Sequence, residues 1–529
     1  MTFCNAQGIS IATPPRIADA ACGQCHRDIF EKYLATPMAN ASGSAMDKFE
    51  PGAFDHKPSG VSYKLFARDQ HAMLSFTSSR NPEIHAERRL DYFLGSGHLG
   101  ITYLYSIQGY LFESPVAYYA ASHGYDMKPG LESMSTPPPA LPMQANCMRC
   151  HMSAVQQSDP GTTNHYAGLP FLHSGITCEA CHGNTQQHVA TGGKSAVVNP
   201  QKLNAELRDS VCISCHLEGD ISVERPGRSA IDYKPGESIS NYLSYFVYAG
   251  KDATRRGVSE VEQLSMSMCK RSSGDRMSCT SCHDPHYTPP PQERVAFYRS
   301  KCLACHSDAS FVAAHHPENP DCTSCHMPRN GAENIPHVAW TDHRIRKTPD
   351  TEDKIEDLGE GETLNAIFSP HADKRDLAMA YYNAVLEGNF AVQQKAYQML
   401  EEIKPNILND KDALAALGVM SEKRGNYQEA TEAFEQLQHI DPENLIAQLN
   451  LGILHAKSGD LSSALALLRA AFARNENIVG LAKNLATIQC SMGDTTGARA
   501  TLQRTLKYSP GLPDVERMLD GLSCSSNKP

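Results

Sequence analysis

Cys279-Thr-Ser-Cys282-His283-Asp-Pro-His286 is the stretch from which the other 521 of the 529 residues read outward. Two thiols three positions apart, followed at once by an imidazole, recur at Cys22–Cys25–His26, Cys147–Cys150–His151, Cys178–Cys181–His182, Cys212–Cys215–His216, Cys302–Cys305–His306 and Cys322–Cys325–His326. Fourteen of the eighteen cysteines fall in these seven copies. At this cysteine and histidine content, about 0.03 such matches are expected by chance. One chemistry needs the spacing: two thiols add to the two vinyl groups of a haem, and the adjacent histidine reaches the iron from the same side. A disulfide framework suits short secreted chains, and zinc sites pair Cys-x-x-Cys units without requiring a histidine at one fixed offset. The sequence therefore predicts seven covalently attached haems c, with His26, His151, His182, His216, His283, His306 and His326 as proximal ligands.

Thirteen further histidines precede residue 347. Those beside the haem motifs are the candidates for the second axial position: His188 after the third motif, His286 after the fifth, His315 or His316 before the seventh, and His337 and His343 after it. His173, just before the third motif, and His98, in Gly-Ser-Gly-His-Leu-Gly where small residues admit a flat macrocycle, complete the set. His56, His71, His85, His123 and His165 rank below them. Met38, twelve residues after His26, is the methionine candidate, since methionine is the other common distal ligand. Packing is the first reading for Met266 and Met268. Cys269 stands outside every motif and reads as a buried inert thiol.

The formal net charge of −11 disfavours nucleic acid as a partner and is chiefly a solubility feature. No run of eighteen apolar residues is present, so no membrane-spanning helix is expected. Residues 1–20 read as an irregular N-terminal segment and residues 21–346 as the haem domain. This domain should be loops and short helices, its core supplied by the porphyrins. A small β insertion is expected within it: Val61–Phe66 and Met73–Thr77 alternate around Asp69-Gln70-His71 as a hairpin. The aromatic-rich Tyr103–Tyr119 should add strands packed on haem, and residues 126–142 read as loop.

An acidic stretch, residues 347–366, reads as a linker. From there to residue 529 a 34-residue period governs the sequence. Leu417-Gly418, Gly425, Ala430, Phe434 and Pro442 recur as Leu451-Gly452, Gly459, Ala464 and Leu468, then as Leu485-Ala486, Gly493, Ala498, Leu502 and Pro510. Gly388, Phe390, Tyr397 and Pro405 mark a degenerate earlier copy, and 514–522 reads as a capping helix. The pattern is that of the tetratricopeptide repeat, so the chain is expected to be multidomain, a haem domain followed by an all-α solenoid.

The haem region resembles multihaem c-type cytochromes of the broad class that includes the tetrahaem partner of hydroxylamine oxidoreductase. Cys178-Glu-Ala-Cys181-His182-Gly183, the Cys279–His286 string and Cys322-Thr-Ser-Cys325-His326-Met-Pro carry the resemblance. It implies that His188 and His286 each ligate a neighbouring haem. Related nitrite reductases place lysine after the cysteine pair at their catalytic haem; no Cys-x-x-Cys-Lys occurs here, Cys269-Lys270 lacking the first cysteine. The leading expectation is thus an electron-transfer protein whose repeats hold a redox partner or a second copy of itself. The alternatives are an oxidoreductase of a small nitrogen or sulfur compound with one open iron, and a subunit of a polymeric conductive assembly. Haem attachment of this kind occurs outside the cytoplasm, so a periplasmic or cell-surface location is expected. Met1-Thr-Phe-Cys4-Asn-Ala6 reads as the tail of a cleaved export signal or, through Cys4, as a lipid-anchor site. Cys490 and Cys524 are free to pair.

Overall fold

The computed structural model describes residues 19–249, 256–315, 318–332, 334–335, 337–347 and 362–524. Most of the expected N-terminal segment, the candidate His316 and most of the expected linker lie outside the described residues. Between the first and second motifs runs an antiparallel unit of ten strands: Ser42–Ser44 (β1), Gly52–His56 (β2), Val61–Arg68 (β3), His71–Ser78 (β4), His85–Leu90 (β5), Tyr92–Leu94 (β6), Gly100–Ile107 (β7), Tyr110–Tyr119 (β8), Gly124–Met127 (β9) and Leu141–Pro142 (β10). They form a four-stranded sheet β2-β3-β4-β5 and a six-stranded sheet β1-β6-β7-β8-β10 with β9 on β8. The β3–β4 hairpin turns through Asp69 and Gln70, both at positive φ (50° and 61°), the geometry that matches strand twist in a two-residue loop.

The insertion is therefore larger than the sequence suggested, and it makes its own core. Val61, Tyr63 and Leu65 alternate inward from β3 while Ser62 and Lys64 face out. They meet Phe93, Tyr103, Tyr105, Phe112 and Val116 of the other sheet. Tyr103, Tyr105, Tyr110 and Phe112 thus pack between the sheets, while Leu104 and Leu111 pack on Met148 and Met152 at the second motif.

Past the second motif, Met152–Val155 (β11) pairs with Phe171–Ser174 (β12), and Ile221–Glu224 (β13) with Leu243–Tyr248 (β14). A small ribbon of Arg329–Gly331 (β15) and Ala339–Thr341 (β16) follows the seventh motif. Otherwise this region is short helices and loops. Between Arg256 and Lys347, the stretch holding the last three motifs, Val338 is the one buried apolar side chain among the described residues. The thirteen-residue helix Pro291–Leu303 buries no residue at all. Helices owe most of their stability to packing an apolar face, so this helix calls for a packing partner other than protein.

Leu364–Ile367 (β17), at the end of the expected linker, adds to β14 as a third strand. Leu364 packs with Ile221, Val223 and Phe246 against the first repeat helices, Lys374–Leu386 and Gln393–Ile403. Buried Asp376 ties the two regions: Arg225 bonds its carboxylate, Ser244 Oγ donates to it at 2.7 Å, and Arg375 reaches the Glu224 carbonyl at 2.6 Å.

Three further helix pairs follow, Lys411–Lys423 with Tyr427–Ile440, Leu445–Lys457 with Leu461–Arg474, and Val479–Ser491 with Thr495–Leu506, then the capping helix Pro513–Asp520. Asn426, Asp460 and Asp494, each 34 residues from the next, cap the second helix of each pair by accepting from a backbone N–H. The glycine of Leu-Gly is a crossing point: a Cβ on Gly418 would sit 2.5 Å from the Phe434 ring, and one on Gly452 2.8 Å from Leu468. Cys490 and Cys524 form a disulfide with Cα atoms 4.8 Å apart.

The solenoid lies along the β unit through its inter-repeat turns. Glu443 packs on Gly161, Asn477 Nδ2 donates to Asn164 Oδ1 at 2.9 Å, and Gly511 packs on Ile84 and Pro137; these three positions are 34 residues apart. Tyr110 Oη donates to the Arg474 carbonyl at 2.7 Å, and Tyr508 enters the core between the two sheets. No described helix is long and apolar enough to cross a membrane.

Candidate haem-binding sites

Five motifs begin in a short helical turn, and the fourth and sixth begin at the C-terminal ends of the longer helices Ala205–His216 and Pro291–Leu303. Cys178–His182, Cys279–His283 and Cys322–His326 each close this turn with a backbone bond from the histidine N–H or its successor. Asp19 carboxylate accepts from Cys178 N–H at 2.9 Å, and Asp321 caps the seventh motif at Thr323. Asp19, Cys22 and Cys178 cluster within 4.8 Å, but both thiols belong to haem motifs, so the cluster is no separate metal site.

Four motif histidines face a second imidazole. The ring centres of His26 and His188 are 6.3 Å apart, those of His182 and His286 6.0 Å, of His283 and His343 6.2 Å, and of His326 and His315 5.8 Å, with planes within 7–32° of parallel. At a metal–imidazole bond of about 2.0 Å, two rings on opposite faces of one iron have centres about 6 Å apart. The spacing fits that group.

The second nitrogens are already occupied. Nδ1 of His182 bonds the Val198 carbonyl at 2.8 Å, that of His188 the Ser195 carbonyl at 2.6 Å, that of His326 the Arg346 carbonyl at 2.5 Å and that of His343 the Thr341 carbonyl at 2.8 Å. A carbonyl at Nδ1 fixes the tautomer and leaves the Nε2 lone pair for a metal. Burial pushes His283 down to about 4, with His343 and His216 adding to the effect, and lowers His151 and His286. The shifts favour the neutral ring that ligation requires. With the missing apolar core around the last three motifs, these observations fit haem, whose faces and edges would supply that packing.

The other candidates fall elsewhere. His98 is exposed in the turn between β6 and β7. His337 is engaged away from the motifs: Nε2 bonds the Asp126 carboxylate at 2.8 Å and the ring packs edge-on against Tyr119, because the β15–β16 ribbon leans on β9. His173 lies on β12 opposite Ser153, just past the second motif, with Nδ1 buried and unpartnered. Met38 sits in a turn whose carbonyl accepts from Ala41 and Ile176, and no proximal ring is placed against it. His56 is held by Ser59 and the Glu132 carbonyl, and His165 by Asp159. Cys269 lies near Cys282 and Cys305, its thiol pushed up by burial. Sequence reasoning missed two aromatic and cationic neighbours. Phe311 stacks between His306 (5.5 Å) and His315 (4.5 Å), and Arg149, inside the second motif, reaches the fourth.

The motifs also touch one another. Thiols of Cys22 and Cys178, Cys150 and Cys215, Cys212 and Cys279, and Cys302 and Cys322 are within hydrogen-bond reach. Cys181 lies near Cys215, and Cys282 near Cys305. In motif numbers, thiol contacts join 1–3, 2–4, 4–5 and 6–7, while 3–4 and 5–6 are neighbours in space, so all seven form one connected set.

Motifs and repeats are those of multihaem c-type cytochromes joined to C-terminal tetratricopeptide repeats. The family description "Cytochrome c554 and c-prime" matches residues 121–183, "Doubled CXXCH motif" residues 273–311 and "Tetratricopeptide repeat" residues 423–478. Among curated proteins the chain is similar to multihaem cytochrome MtrA of Shewanella baltica (strain OS185), 26% identical over 179 residues, covering 31% of this chain and 52% of that protein. It thus spans about half the length of that relative. Solved structures similar to part of the chain include MamA from Desulfovibrio magneticus RS-1 (19% identity, TM-score 0.25, 28% of this chain and 82% of that one). A mutant O-GlcNAc transferase of Thermobaculum terrenum is another (24%, TM-score 0.20, 21% of each chain).

Proposed function

We propose that this chain binds seven haems c and passes electrons through them between two redox partners outside the cytoplasm. The observation that carries the reading is the connected set of motif contacts, which leaves no motif isolated. His26/His188, His182/His286, His283/His343 and His326/His315 are the axial pairs of four haems. All four pairs take the second ring from the segment that follows a different motif, the third, fifth, seventh and sixth respectively, which ties neighbouring haems to one another. The haem supplies one-electron chemistry at iron; the chain holds the ligands neutral, fixes their tautomers and keeps the macrocycles close. An extracytoplasmic location follows from thioether attachment and is supported by the disulfide, which persists in oxidising compartments.

The repeats serve protein–protein contact. The later inter-repeat turns are used against the β unit, so a partner meets the first two repeats, where Leu386, Phe390, Leu408 and Tyr427 at helix ends and turns expose apolar surface. Intact-mass measurement on the purified holoprotein, with a ferric spectrum taken before and after cyanide or nitrite, tests the reading. Seven haems and an unchanged low-spin spectrum are expected. A smaller adduct defeats the haem count, and a high-spin fraction that turns over nitrite or hydroxylamine would make the protein an enzyme.

A further inference from the structure

Arg149 occupies the third position of Cys147-Met-Arg-Cys150-His151, where a side chain is free to leave for solvent. It does not. Its guanidinium donates to the carbonyl of Ser214, the residue before Cys215 of the fourth motif, and Cys215 Sγ lies 4.0 Å from the carbonyl of Arg149 itself. The thiols of Cys150 and Cys215 are in contact at the same place. The arginine therefore sits where the anchoring edges of two macrocycles meet.

Its charge has no direct ion pair among the described residues, and Glu224 and Glu218 act on it only through space. Tyr245, fully buried, points its hydroxyl into the same space beside the guanidinium, and Nε of Arg149 makes no hydrogen bond. No described carboxylate forms an ion pair with Arg149. Glu224 is nearby but is taken up by Asn146, Ser229 and the Ala230 N–H, and Glu218 also faces Arg256.

We propose that Arg149 is a positioning residue for electron transfer: a fixed buried cation that raises the reduction potentials of the haems anchored by motifs 2 and 4. The inference rests on the haem reading above. Each ferric centre takes one electron from the electrode or donor, no bond is made or broken, and the positive charge stabilises the added electron on either ring. A charge held by a backbone carbonyl stays in place in both redox states, so the effect costs no reorganisation.

Spectroelectrochemical titration of the full-length holoprotein tests it, comparing wild type with R149Q and R149K. R149Q is expected to lower the potential of the affected centres by about tenfold in ferrous-to-ferric ratio at fixed applied potential, about 59 mV for one electron. Its haem content and low-spin ferric spectrum should be those of wild type. R149K, which keeps the charge, should follow the wild-type curve. Unchanged potentials in fully haem-loaded R149Q overturn the proposal, as does an R149K shift as large as that of R149Q. If R149Q does not accumulate as holoprotein, R149K decides alone: a retained curve supports the charge, a lowered one rejects it. A haem missing from motif 2 or 4 in wild type, read by peptide mass mapping, overturns the haem reading itself, a result distinct from an unshifted potential.

Discussion

Asn477 donates from its side-chain amide to Oδ1 of Asn164 at 2.9 Å, across 313 residues, with both side chains buried. Asn164 in turn donates to the Leu111 carbonyl of β8 at 2.7 Å. This pair joins an inter-repeat turn to the strand unit, so the repeats and the haem-bearing region behave as one packed body rather than two beads on a string. Replacing Asn477 by alanine removes one neutral hydrogen bond and should cost about 1 kcal/mol. Asn477→Asp sets a carboxylate against the Asn164 carbonyl oxygen in a buried site and should cost more, several kcal/mol. Thermal unfolding of the two variants checks this; equal effects would mean the contact is incidental.

The axial pairs give a spectroscopic prediction. Alanine at His188, His286, His315 or His343 should convert one haem in the protein to high spin while the thioethers keep all haems attached. His286→Met should stay low-spin with a raised potential, since methionine is the ligand that does so. Alanine at His98 or His337 should leave the ferric spectrum unchanged, because His98 is exposed and His337 is occupied by Asp126. A normal spectrum for all four of the first set would remove the pairing.

How much of this was legible beforehand depends on the range of the interaction. The Cys-x-x-Cys-His motifs and the 34-residue period are local, and both read directly from the chain. His188 and His286 stood out because each lies within a few residues of a motif, yet the partner of each is a different motif, His26 and His182, which no spacing reveals. His337 misled for the same reason in reverse: nearness in sequence to the seventh motif says nothing of Asp126, 211 residues away. The aromatic strands at Tyr103–Tyr119 were recognised as strands, but their partner sheet and Tyr508 are long-range packing. Arg149 was visible as a residue and silent as a contact, since only the fold brings Ser214 to it.

A buried carboxyl predicts a pH dependence. Glu262 is raised from 4.5 to about 7 because burial outweighs its pairing with Arg256 at 3.1 Å. The folded state therefore holds the proton more tightly than the unfolded one. The stability this contributes is fully present below about pH 4.5 and is lost as pH rises through about 7, a loss of roughly 3 kcal/mol at most. Glu262→Gln, permanently neutral, should flatten the fall in melting temperature between pH 5 and 7. An identical pH profile in the variant would show that Glu262 is ionised throughout.

The Cys490–Cys524 bond separates two kinds of sulfur chemistry in one chain. Cys490 lies in the last turn of helix Val479–Ser491, and the capping helix Pro513–Asp520, between the two cysteines in sequence, joins the cluster around it through Val515, Met518 and Leu519. The bond closes a segment of 34 residues. Closing a loop of that length restricts the unfolded chain enough to stabilise the fold by about 3–4 kcal/mol. Thioethers do not exchange with thiols, so a dithiol reductant should open this bond and leave every haem in place. The expected result is a lowered melting transition for the repeats with an unchanged haem content, reproduced without reductant by Cys490→Ser. A melting curve indifferent to both treatments would mean that packing of the cap alone holds the end of the solenoid.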